Sequence, residues 1–199
     1  MRYLVSLLIF FSITFNPLNA FADEMILAGG CFWCLEHDLE SLEGINNVES
    51  GYSGGSIQNP TYDNHNGHQE VVLVDFDKEI VDFQDILRLY LRNIDPLDGG
   101  GQFCDRGNSY KPVIFFDNQE EENISKAALL SVSNELKLPL EKIKVEIKPK
   151  KKFWIAEAYH QDFAEKNELK YKFYRFTCGR DQKLDQVWGD NARSITFWE

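Results

Sequence analysis

In the run Gly29-Gly30-Cys31-Phe32-Trp33-Cys34, two thiols enclose two large aromatic rings, and these residues are the best placed in the 199-residue chain to do chemistry. Residues three apart on a helix share a face, so the two sulfurs can reach one another. A cysteine that opens a helix also meets unpaired backbone N–H groups and the positive end of the helix dipole. Both favour the thiolate, the form that attacks sulfur. Phe32 and Trp33 either pack as core or wall a pocket for a small apolar group such as a methyl. Cys104 and Cys178 complete the set of four cysteines, which allows three full pairings. A zinc site would want a second close pair, and these two lie far apart with no His cluster beside them. Redox chemistry, or a single disulfide staple, fits a chain of this length better.

The elements that must position these groups can be read from periodicity. Met25 to Ala28 reads as a buried strand that enters a tight turn at Gly29-Gly30. Phe32, Leu35, Leu39 and Leu42 then recur at helical spacing up to Gly44, so Cys31 falls at a strand-to-helix junction. Val48 to Asn66, with Gly51, Gly54, Gly55 and Asn59-Pro60, reads as a long functional loop. Glu70 to Asp77 is a strand and Phe83 to Leu91 an amphipathic helix, followed by a glycine-rich loop from Asp95 to Ser109 that holds Cys104. A strand over 113–116, a helix over 120–136 and a strand over 143–147 follow. Beyond them, 156–166 reads as a helix and the aromatic-rich remainder as an irregular tail. Strands alternating with helices point to an α/β or α+β layer.

Composition bounds the function. With 43% apolar and 14% aromatic residues the chain is globular, and 32 acidic against 21 basic residues give a net charge of −11. That charge works against nucleic acid or anionic lipid as a partner. The basic run Lys148 to Lys152 reads as a solvated edge or turn. At the start, Arg2 precedes an apolar stretch from Leu4 to Phe15, then Asn16-Pro17 and Ala20-Phe21-Ala22. This pattern is that of a secretory signal over 1–22, cleaved before Asp23, which leaves a single domain over 23–199 in the periplasm or outside the cell. The alternatives are an uncleaved anchor or a buried helix, and the mature part offers no membrane span. Asn123-Ile124-Ser125 is a formal glycosylation acceptor inside a predicted helix and receives no function.

Several motifs carry a resemblance: Gly30-Cys31-Phe32-Trp33, Gly51-Tyr52-Ser53-Gly54-Gly55, Asn59-Pro60-Thr61-Tyr62 and Gly67-His68-Gln69-Glu70. Asn93-Ile94-Asp95-Pro96, Gln102-Phe103-Cys104-Asp105-Arg106-Gly107, Tyr110 and Ala156-Glu157-Ala158-Tyr159-His160-Gln161-Asp162 continue it. In order and spacing these resemble methionine sulfoxide reductase A, the peptide-methionine (S)-S-oxide reductase family, over most of residues 25–188. The resemblance implies an α/β (α+β roll) fold with a ferredoxin-like mixed sheet. It also implies reduction of methionine S-sulfoxide, free or in oxidised proteins, with no bound cofactor and an external thioredoxin-like thiol as reductant. By the same resemblance Cys31 is the nucleophile and Phe32 and Trp33 hold the substrate methyl. Glu70, Tyr62 and Tyr110 bind the sulfoxide oxygen, and Asp105 falls on another polar position of the site.

The chemistry suits these types, because a sulfoxide oxygen must be protonated before it leaves as water, and a carboxyl kept neutral by aromatic walls can supply the proton. A sulfenic acid on Cys31 would then be converted to a disulfide by a second thiol. Many relatives resolve with a cysteine near the C-terminus, which matches Cys178, while Cys34 and Cys104 are the alternatives. The family commonly carries a Tyr where this chain has Phe163, so a hydroxyl there is absent or comes from another residue. Two further readings compete: a thiol-disulfide oxidoreductase that uses Cys31 and Cys34 alone, and a binding module stapled by disulfides.

Overall fold

The computed structural model describes residues 23–196, and the expected signal segment over 1–22 lies outside the described residues. β1 (Asp23–Ala28), α1 (Phe32–Leu39), β2 (Ile45–Ser53), β3 (Gln69–Phe76) and α2 (Phe83–Leu91) come first. A short hairpin follows, β4 (Gly101–Gln102) and β5 (Asp105–Arg106), then β6 (Val113–Phe116), α3 (Gln119–Glu135), β7 (Glu146–Pro149) and β8 (Trp154–Ile155). The chain ends in α4 (Phe163–Lys166), α5 (Glu168–Thr177) and α6 (Arg180–Trp188). Six strands form one mixed sheet in the order β7-β6-β1-β3-β2-β8, in which only β6 and β7 run parallel. The α/β architecture with a mixed sheet is the expected one.

Strand alternation sorts the two faces. Met25 and Leu27 of β1 and Val72, Val74 and Phe76 of β3 join Leu35 and Leu39 of α1, Ile86 and Tyr90 of α2 and Val132 of α3 in the main core. Ile26, Ala28, Val71, Val113 and Phe115 make a thinner cluster on the opposite face. Each fully buried aliphatic or aromatic side chain contributes about 1.5–3 kcal/mol. α2 and α3 are started by side chains: Asp82 accepts from the Asp85 N–H, and Asn118 from that of Glu121.

Four expectations are corrected. Val48 to Asn66 is not all loop, because Ile45–Ser53 pairs with β3 along its length. Its small residues mark close approach: a Cβ on Gly51 would sit 2.3 Å from the Phe153 ring. Residues 156–166 are mostly turns, with helix only at Phe163–Lys166. There the Gln161 amide bonds the Ser50 N–H and C=O and the Ala156 carbonyl, which ties the chain to β2, and Asp162 takes a left-handed φ of 53°. The tail is not irregular but forms α5 and α6, which break at Gly179 with φ 68°. The strand expected at 143–147 lies at Glu146–Pro149, at the sheet edge, and the lysines after it are bound locally: Lys150 reaches Glu24 and Lys151 the Gly54 carbonyl.

Candidate active site

β1 delivers Cys31. Its last four residues are buried, and the chain turns at Gly29-Gly30 with no room for side chains: a Cβ on Gly29 would meet Ile94 at 2.8 Å. Gly30 has φ +87°, and a Cβ there would meet Gln102 at 2.7 Å. Cys31 is then the N-cap of α1, and its carbonyl accepts from the Cys34 and Leu35 N–H groups. Cys31 and Cys34 are both free thiols and both buried, at 6% and 2% exposure.

β3 delivers Glu70 to the same place. Glu70 lies opposite Tyr52 in the β2–β3 register and two residues before Val72, so alternation turns it to the helix side of the sheet. There it accepts the backbone N–H of Phe32 at 3.2 Å. Burial pushes its carboxyl up to about 8, with Asp105 adding to the rise and the Phe32 and Tyr110 hydrogen bonds opposing it. Glu70 therefore holds its proton at neutral pH. The expected Cys31 thiolate is not what the site favours at rest. Burial, reinforced by the neighbouring Cys34 and Glu70, raises the Cys31 thiol well above its ordinary value. The Cys31 side chain makes no cap hydrogen bond to the helix it opens, and the first helix N–H, that of Phe32, is spent on Glu70.

The walls are aromatic. Trp33 stacks on Phe163, ring centroids 3.7 Å apart, meets Tyr174 edge-on, and donates its Nε1–H to Nδ1 of His160 at 3.0 Å. His160 is buried against Phe32 and Tyr62, and burial lowers its basicity, which keeps the ring neutral and the acceptor intact. Tyr62 is held from below by Glu157, which accepts its backbone N–H at 2.9 Å and the Tyr52 hydroxyl at 3.0 Å. The β4–β5 hairpin carries Asp105, which accepts the Tyr174 hydroxyl at 2.6 Å. Burial raises the Asp105 carboxyl and the hydroxyls of Tyr62, Tyr110 and Tyr174, so the three phenols face the site as hydroxyls at neutral pH.

Cys31, Phe32, Trp33, Tyr62, Glu70, Asp105, Tyr110 and Tyr174 line one cavity of about 50 Å³. A larger groove of about 690 Å³ lies between the starts of α2 and α3, lined among others by Asp23, Asp82 and Glu121, and contains no cysteine. Convergence of a thiol, an acid and phenols makes the smaller cavity the site.

Residues 23–192 match the family model described as peptide methionine sulfoxide reductase. The chain is 43% identical over 84% of its length to peptide methionine sulfoxide reductase MsrA 2 of Caulobacter vibrioides, covering 86% of that protein. The chain belongs to the peptide methionine sulfoxide reductase family. It is also 43% identical to the MsrA/MsrB protein of Vibrio cholerae, over 88% of this chain, but spans only 47% of that longer relative. In fold it is similar to reduced Mxr1 of Saccharomyces cerevisiae, with a TM-score of 0.68 and 25% identity, over 79% of this chain and 92% of that one. Its activity is that of a peptide-methionine (S)-S-oxide reductase, an oxidoreductase that returns methionine sulfoxide to methionine and so repairs oxidised proteins.

As a methionine sulfoxide reductase the chain has a divided set of sulfurs. Cys104 and Cys178 are joined, S–S 2.07 Å, while Cys31 and Cys34 remain thiols. Cys104 and Cys178 also form, with Asp105, the one group of three possible metal ligands among the described residues, and both its sulfurs are committed to each other. The disulfide borders the cavity, because Cys104 precedes Asp105 and Cys178 follows Tyr174 by one helical turn. Phe32, Trp33, Glu70, Tyr62, Tyr110 and Asp105 all reach the cavity, as the resemblance implied. Sequence reasoning missed Tyr174 and the role of His160. Tyr174 shares the Trp33 ring with Phe163, the position that lacks a hydroxyl, and carries one to Asp105; the signal for it was the aromatic-rich run before Cys178.

Proposed function

We propose that the sulfoxide group of methionine enters the 50 Å³ cavity with its methyl against Phe32 and Trp33 and its oxygen toward Glu70, Tyr62 and Tyr110. The observation that carries this reading is the convergence of those side chains with Cys31 on one small cavity. The Cys31 sulfur attacks the sulfoxide sulfur as Glu70 protonates the oxygen. Oxygen passes to Cys31, so methionine leaves and Cys31 becomes a sulfenic acid, its sulfur oxidised by the two electrons the substrate gains. Glu70 regains its proton from the Cys31 thiol.

A second thiol then attacks the Cys31 sulfur and expels water. Cys34 is the free thiol hydrogen-bonded to Cys31 and takes this step. Exchange carries the oxidation to Cys178 and Cys104, which gives Cys178 the second resolving step rather than the first. A joined Cys104–Cys178 pair above free Cys31 and Cys34 thiols is the state such an exchange leaves. Cys104 is exposed, which supports attack by an external dithiol from that side. A solved structure of Mxr1 from Saccharomyces cerevisiae contains it in complex with Trx2, which supports a thioredoxin-like reductant. Export to the periplasm or beyond rests on residues 1–22, and no helix among the described residues is long and apolar enough to cross a membrane.

The test mixes the fully reduced protein, without reductant, with both sulfoxide epimers of a blocked methionine and follows epimer loss and free thiols together. Loss of the S epimer alone, with two thiols consumed per methionine formed, is the expected result. Unchanged epimers beside active disulfide exchange would favour the Cys31–Cys34 oxidoreductase instead.

A further inference from the structure

Cys34 packs with Phe163 and Ala164 of α4 and Tyr171 of α5, one turn before Asp38 on α1. Asp38 sits between two guanidiniums: its Oδ1 is 2.7 Å from Nη1 of Arg175 and its Oδ2 3.4 Å from Nη2 of Arg180. Arg180 is 1% exposed, donates to the Asn93 carbonyl at 2.7 Å and lies over the Phe103 ring, and its Nε has no hydrogen-bond partner. Arg175 is also held by Asp181, whose side chain is half exposed and so offsets the buried charge only partly. Two cations against one buried anion leave an excess positive charge beneath Cys34. A buried charge without a counter-ion is costly, and a thiolate at Cys34 supplies one.

We propose that Arg180 and Arg175, clamped on Asp38 one helical turn from Cys34, are positioning residues that set positive charge beside the Cys34 sulfur and thereby make it the thiol that resolves oxidised Cys31. The proposal rests on the reading above that Cys31 becomes a sulfenic acid. The groups that face Cys34 are Cys31 and Asp38 on its own helix, Glu70 on β3, Tyr171, Tyr174 and Arg175 on α5, and Arg180 on α6. The neighbouring Cys31 thiol favours the charged form of Cys34, and Arg180 and Arg175 add their pull. These outweigh burial and the opposing Asp38, so the Cys34 thiol is lowered while that of Cys31 is raised. In the step itself the Cys34 thiolate forms a bond to the Cys31 sulfur and the Cys31 S–O bond breaks. Cys34 is oxidised and Cys31 reduced by the same electron pair, and the departing hydroxide takes one proton, from Glu70, to leave as water.

The experiment uses the full chain in single turnover with a blocked methionine S-sulfoxide. Methionine release is read separately from formation of the Cys31–Cys34 disulfide, in the wild type, Arg180→Gln, Arg180→Lys and Arg175→Gln. Because Arg175 is nearer the surface and Arg180→Lys keeps the charge, the comparison survives a failure of Arg180→Gln to fold. The expected result is a disulfide step at least tenfold slower at pH 7 in the Gln variants, recovered as the pH is raised and recovered at pH 7 by Arg180→Lys. Equal slowing of both steps, a pH-independent loss, or an unchanged disulfide step overturns the proposal. Absence of methionine release in the wild type would instead overturn the underlying reading.

Discussion

The backbone N–H of Phe32 donates to Oε2 of Glu70 across 3.2 Å, so the acid of the site is tied to the same helical turn that carries the nucleophile. Proton donor and sulfur therefore keep their relation whenever α1 is in place. With its carboxyl pushed up to about 8, Glu70 holds a proton at pH 7 and loses it as the pH rises through that value. Turnover per active site falls above about pH 8, approaching tenfold per unit. In Glu70→Gln it is lower by 10²–10⁴, the usual worth of a general acid. A kcat/KM profile from pH 6 to 10 checks both. A flat wild-type profile, or an undiminished Gln variant, would remove Glu70 from the role.

The same group marks the stability. Its carboxyl is higher in the folded chain than the ordinary 4.5, so between about pH 4.5 and 8 the folded state binds more protons than the unfolded one. Wild-type stability from this group is present at acid pH and is lost as the pH rises, by at most about 1.4 kcal/mol per unit. Glu70→Gln lacks that loss. Urea unfolding at pH 5, 6.5 and 8 is expected to show the variant gaining on the wild type at each step.

Trp33 depends on His160 for its orientation. In His160→Phe the indole N–H loses its acceptor in a buried place, at a cost of about 1–3 kcal/mol, and the ring that walls the methyl pocket is no longer fixed. KM for a blocked methionine sulfoxide should rise several-fold, with kcat less affected. A kcat loss at unchanged KM would mean that His160 acts on the reacting atoms.

The Cys104–Cys178 bond closes a loop of 74 residues, for which chain entropy gives up to about 4 kcal/mol. Cys178→Ser should therefore unfold at lower urea. It should also complete one turnover and leave Cys31 joined to Cys34 in a peptide map. A map in which Cys31 stays unpaired after methionine release would return the first resolving step to Cys178.

Much of the site was legible because its residues obey local rules. Cys31 follows a strand and two glycines and precedes a helical period, and Glu70 opens the clearest alternating strand. What was hidden obeys longer-range ones. α5 was read as irregular because its apolar residues point outward: Leu169, Phe173 and Phe176 are exposed and only Tyr171 is buried, so the helical stripe is inverted and Tyr174 could not be placed. β2 escaped because Ser50, Gly51 and Ser53 are small where other chain segments press on the strand, and small residues carry no strand signal. The stretch before α4 mimicked a helix, yet it is a run of turns that a single Gln161 side chain ties to β2.

The cavity of about 50 Å³ has room for the tip of one side chain and none for the peptide behind it. On the reading proposed above, an enzyme that grips only a methyl and an S–O group is blind to the neighbours of its target. Its choice among oxidised methionines is then made by the client's own surface: those on loops and chain ends are mended first, and those in a tight core wait until the client opens.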